Sequence, residues 1–138
     1  MVDALREARR VLKAGGMLID VRPLTIPMVV EVVIGARAIW SKEVDSSRTP
    51  EDVAAADRAV QHAVSAEWFR FEKSLPYALE IYCDTAEDFS VYAQSHKLPE
   101  AEIPYQELKQ RLADLAAHRQ KARLRCRRPW MMSAYRKE

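Results

Sequence analysis

Leu5, Ala8 and Leu12 recur at helical spacing while Arg6, Glu7, Arg9 and Arg10 fall elsewhere, which predicts an amphipathic helix over 2–13. Gly15 and Gly16 follow and can take the left-handed conformation that ends a helix, with Lys13 near its negative dipole end. Met17-Leu18-Ile19-Asp20-Val21 is a short apolar run, so a buried strand is expected over 17–22, stopped by Pro23. Residues 28–44 are rich in β-branched side chains and broken by Gly35, the pattern of a hairpin or two short strands. A helix is the alternative there, since Ala36 and Ala38 do not resist one. Thr49-Pro50-Glu51-Asp52 combines a cap, a proline at the first helical position and two acids, and opens a helix over 50–66. Val53, Ala56, Val60, Ala63 and Val64 form its apolar stripe. Trp68 to Glu72 alternates and predicts a strand over 67–73 that Pro76 ends, followed by a separate extended segment over 78–83. Thr85 starts a helix over 85–96 with Phe89, Tyr92 and Ala93 inward, and Leu108, Leu112 and Leu115 mark another over 104–119. Between them, residues 98–104 form a linker carrying Pro99 and Pro104. Arg123, Arg125 and Arg127 alternate with Ala122, Leu124 and Cys126, the period of a strand over 122–136.

The fold class is therefore α/β or α+β, in a single domain spanning 1–138. Apolar residues at 49% and charged residues at 30% suit a packed core and argue against disorder. No apolar run reaches about 18 residues, so no membrane span is expected, and the first ten residues lack a signal-peptide core. Two cysteines without close spacing fit a reducing, cytoplasmic location. The net charge of +2 is uneven: residues 119–138 hold eight Lys or Arg and one Glu, leaving 14 basic and 19 acidic residues in the rest.

The unit ALREARRVLKAGGMLIDVRP, residues 4–23, resembles class I S-adenosylmethionine-dependent methyltransferases, in which a helix ending in a RVLKPGG-like turn leads into the fifth strand. Ala14 stands where that family usually has proline. Residues 54–94 look like the family's next helix and sixth strand, and RLRCRRPWMMSAYRK, residues 123–137, is similar to its last strand. The resemblance covers the family's C-terminal half. It implies half of a Rossmann-like sheet of order 3-2-1-4-5-7-6, with the last strand lying between the fifth and sixth. It also implies that strand 17–22 lacks its usual neighbour. An apolar edge of that kind recruits another strand, so a homodimer is expected, through 17–22 or through 28–44. The family's cofactor rests on a strand followed by a glycine-rich turn, and none of the three glycines here forms that pattern. The chain alone is therefore expected to bind no cofactor and to have no catalysis of its own. S-adenosylmethionine enters only if the missing half is supplied, and the alternative is an active methyltransferase completed by another chain.

Asp20 and Arg22 lie near the C-terminal end of strand 17–22, where ligands collect in open α/β sheets, and are the candidate substrate-binding residues; an ion pair or turn role is the competing reading. The arginine row 123, 125 and 127 is either an anion or nucleic-acid contact or a face paired with acids such as Glu72 and Glu80. No aromatic residue interleaves before Trp130, so nucleic acid is not the expected partner. His62 is read as a partly buried or surface histidine without a catalytic partner. Trp40, Trp68, Trp130, Tyr82 and Tyr92 are read as packing residues. Cys83 and Cys126 are read as buried thiols, with no metal site and no catalytic residue assigned.

Overall fold

Helix α1 (Val2–Val11) stops at Leu12, which is extended, and the two glycines then turn the chain. Gly15 has φ +72°, a conformation that L side chains rarely adopt. Gly16 is needed for a different reason: a Cβ there would lie 2.8 Å from the Lys13 carbonyl oxygen. The turn delivers the chain into β1 (Met17–Pro23). These elements belong to a computed structural model that describes residues 1–45, 50–98 and 100–138, without the side chains of Pro50 and Glu100. The expected Thr49 cap and Pro99 lie outside the described residues.

The other strands and α-helices are β2 (Met28–Ile34), β3 (Arg37–Val44), α2 (Pro50–Ser65), β4 (Phe69–Cys83), α3 (Ala86–Ser95), α4 (Tyr105–Ala117) and β5 (Ala122–Lys137), with a 3-10 turn at Glu100–Glu102. The segment 28–44 is a hairpin, not a helix; Gly35, at φ +60°, makes the turn between Ile34 and Arg37. The five strands form one antiparallel sheet, in which β5 pairs with β1, β2 and β4, and β2 also pairs with β3. The expected break at Pro76 is absent, because β4 runs unbroken from Phe69 to Cys83. Among the described residues β4 pairs only with β5, so it has a free edge where a proline without an N–H is tolerated.

The chain divides into two compact units, each drawing on part of β4 and part of β5. Unit 1 comprises 1–25, 49–77 and 130–138. There β1 pairs with the second half of β5, with Leu18 opposite Tyr135, Asp20 opposite Ser133 and Arg22 opposite Met131. Ala63, Phe69 and Tyr135 are its buried core, and Leu5, Ala8, Leu12, Leu18 and Val60 pack against them. The apolar stripes expected on the first two helices therefore face the same side of β1. Met17, Ile19 and Val21, which point the other way, are 46%, 47% and 41% exposed.

Unit 2 comprises 26–48 and 78–129. There β2 pairs with the first half of β5, with Glu31 opposite Arg125 and Val32 opposite Leu124. Met28, Val30 and Val32 join Leu124 and Cys126 in a core closed by Phe89 and Ala93 of α3, Leu108 of α4, and Leu98 and Ile103 of the connection. Thr85 caps α3 by accepting a hydrogen bond from the Asp88 N–H at 3.0 Å, as the sequence implies.

Candidate functional site

The last residues of β1 alternate across the strand, so Asp20 and Arg22 share the face that carries Leu18. Antiparallel pairing puts Met131, Ser133 and Tyr135 of β5 beside them. Helix α2 adds Val53 and Asp57, which are i,i+4 and so lie on one side of the helix. Together with Pro23, Leu24 and Thr25 they enclose a pocket of about 270 Å³ within unit 1.

Arg22 is held from two directions. Its Nε donates to Asp20 Oδ2 at 2.8 Å, and its Nη2 lies 2.7 Å from the same oxygen. Its Nη1 donates to Asp57 Oδ1 at 2.8 Å. Asp20 and Arg22 are about four-fifths buried, with side-chain exposures of 20% and 22%, while Asp57 is 55% exposed. Both competing readings of Asp20 and Arg22 therefore apply at once: they pair with each other, and they line a pocket at the strand end. The formal charges of the three groups sum to −1. Ser133 is buried, at 8% exposure, lines the pocket, and makes no side-chain hydrogen bond among the described residues.

Asp57 and Ser133 were not singled out by the sequence. Asp57 stands 35 residues from Arg22, and nothing local marks it. Ser133 carried a weak signal: it is a small polar residue between Met131 and Tyr135 in a strand whose alternate positions turn inward.

The other candidates do not gather around this pocket. The arginine row is a paired face, but its acids are not Glu72 and Glu80. Glu31, only 3% exposed, accepts from Arg125 Nε at 2.6 Å and from Arg127 Nε at 3.0 Å, and Arg123 donates to Asp84 at 2.6 Å. The partner is decided by register, which sets Glu31 of β2 directly opposite Arg125. Burial alone pushes the Glu31 carboxyl up, but hydrogen bonds and charge from Arg125 and Arg127 outweigh it and hold it below the usual carboxylate range. Glu72 instead accepts from Arg136 at 2.8 Å, and Glu80 from the Tyr82 hydroxyl.

His62 is exposed and meets the Trp68 ring edge-on, at 5.5 Å between centroids. Trp68 also lies under Arg6 and Arg9, Trp40 under Arg111, Tyr82 under Arg123, and Trp130 beside Tyr77. Cys83 and Cys126 are both buried free thiols in the unit 2 core; burial pushes Cys83 up and Cys126 up to about 11. Among the described residues, no three His, Cys, Asp or Glu side chains come together as metal ligands, and no helix is long and apolar enough to cross a membrane.

A larger hollow of about 690 Å³ lies in unit 2 between the start of α3, α4 and the start of β5. Four of its rim charges are paired, Lys109 with Glu87 and Arg123 with Asp84, each at 2.6 Å, and Lys121 adds a fifth with no ion pair among the described residues. The unit 1 pocket is the better candidate, because it gathers both strand-end residues, Asp20 and Arg22, with Asp57 and with a Ser133 hydroxyl that makes no hydrogen bond among the described residues. No family model matches the chain, and no curated protein and no solved structure matches it.

Proposed function

We propose that this chain is the C-terminal, substrate-side half of a class I S-adenosylmethionine-dependent methyltransferase fold. By itself it neither binds the cofactor nor transfers a methyl group. The observation that carries the reading is the position of β5, which pairs with both β1 and β4 and runs antiparallel to β1. The resemblance of residues 4–23 and 123–137 implies that arrangement, with the last strand inserted between the fifth and sixth. The helix, glycine turn and strand at 2–23 support it further.

The chain's own residues do not fit S-adenosylmethionine. A site for it in a fold of this kind needs a glycine turn between a strand and the start of a helix. Here Gly15 and Gly16 lead into a strand, and Gly35 closes a hairpin. Catalysis therefore requires a glycine-rich half, whichever polypeptide carries it.

The outer edge of β1 has no partner strand among the described residues, and Met17, Ile19 and Val21 beside it are exposed. That edge is the proposed association surface, either for a second copy or for the completing half. In the hairpin 28–44, β2 has a strand on each side, and the edge left open among the described residues is the outer edge of β3.

Titration calorimetry with S-adenosylmethionine tests the reading. The chain alone is expected to give no saturable heat, and the chain joined ahead of α1 to a folded glycine-rich methyltransferase half is expected to bind. Saturable binding by the chain alone, or none by the folded joined protein, overturns it.

A further inference from the structure

We infer that the pocket at the end of β1 is a subsite for an alkylammonium group, held by Asp20, Asp57 and Ser133. An arginine at a strand end would ordinarily suggest an anionic ligand. Here Arg22 already directs three of its five N–H groups, one each on Nε, Nη1 and Nη2, at Asp20 Oδ2 and Asp57 Oδ1, so its charge is matched by carboxylates. Asp20 Oδ1 and Asp57 Oδ2 take no part in those bonds. Ser133, a residue only 8% exposed, adds a hydroxyl that makes no hydrogen bond among the described residues. Acceptors therefore outnumber free donors around the pocket, and its formal charge is −1.

A complementary ligand brings N–H donors and a positive charge. An ammonium supplies three donors and no acceptor, which matches the two open carboxylate oxygens and the serine. It would also give the Ser133 hydroxyl a hydrogen-bond partner. The volume of about 270 Å³ sits at the small end for ligand pockets, enough for the end of a small molecule or of a lysine side chain. Val53 and Met131 line it as well, and they can cover the methylenes of such a chain. As the substrate end of the half-fold proposed above, on which this reading rests, the pocket would anchor the ammonium end of a substrate. The binding itself needs no cofactor.

The test is NMR titration of the isotope-labelled chain with n-butylammonium chloride, with sodium n-butyrate as the counter-probe and Nα-acetyl-lysine N-methylamide in parallel. The expected result is saturable millimolar shifts at the amides of Asp20, Asp57 and Ser133 with n-butylammonium and none with butyrate. Tighter binding of the lysine derivative would point to a peptide side chain, and tighter binding of n-butylammonium to a free amine; both support the ammonium site. Asp57→Asn is expected to weaken binding about tenfold. It lies at a half-exposed position where folding should survive, and Asp84→Asn in unit 2 should leave binding unchanged. Butyrate binding in preference, no shift with either amine, or ammonium affinity unaltered in a folded Asp57→Asn variant would overturn the assignment. A failure here leaves the cofactor titration of the joined protein standing, and a failed cofactor titration leaves this binding intact.

Discussion

In unit 2, Phe89, Leu98, Ile103 and Leu108 close over Val30 and Val32 of β2. In unit 1, α1 and α2 cover Leu18, while Ile19 and Val21 on the other side of the same strand stay exposed. Among the described residues the first core gathers thirteen buried side chains and the second three, so the two units are unequally finished. Apolar surface left in water forfeits about 25 cal/mol per Å² that burial would return. Unit 2 has the means to hold itself together. Unit 1 has a covered face, an open face and a free strand edge, which are the features that a second copy or a completing half would use. The candidate site lies in this less finished unit, so any partner of β1 would stand close to the pocket.

Breaking the stronger core should have the largest effect. Phe89→Ala removes a ring that is 1% exposed and should cost about 3–5 kcal/mol. Urea unfolding measures the loss, and alkylation of Cys83 and Cys126 localises it. Both thiols are buried in unit 2 and pushed up by burial, so they should react slowly at pH 8 until that core opens. Rapid alkylation of the wild type in water would contradict the picture of a closed unit 2.

A smaller effect is expected at Glu31. Glu31→Gln leaves Arg125 and Arg127 without a carboxylate and should cost about 2–3 kcal/mol at pH 7. Because the Glu31 carboxyl is held below its ordinary value of 4.5, its contribution is present above that value and is lost as pH falls through the lower folded one. The gap between wild type and variant should therefore be full at pH 7 and shrink below about pH 4.5. A gap that stays constant down to pH 3 would mean that the pairing does not stabilise the fold.

The smallest change in stability should come from Ile19→Lys, on the open side of β1, within about 0.5 kcal/mol. Its effect should appear in association instead. Sedimentation velocity at micromolar concentration should show wild-type dimers and a largely monomeric variant. A wild type that is already monomeric would remove the second copy as the partner of β1.

Much of the fold was legible because its signals are local. Leu5, Ala8 and Leu12 needed only their spacing, and Thr85 only its neighbours. Pro76 misled because a proline breaks a strand only where its missing N–H is required, and edge position is not a local property. The candidate site was half legible. Asp20 and Arg22 could be flagged from their place at a strand end, whereas Asp57 and Ser133 could not, since helix packing brings the first to Arg22 and strand pairing the second to Asp20.

The amino-acid order by itself determined where helices and strands begin, which faces are apolar, and that the last segment is a basic strand. These follow from side-chain periodicity and from the backbone limits of glycine and proline. Only the tertiary structure decided which acid meets which arginine, that Arg22 is already occupied, that the apolar residues form two unequal cores, and that one side of β1 is left uncovered. Those depend on strand register and helix packing between segments far apart in the chain, where a one-residue slip would turn every side chain to the opposite face.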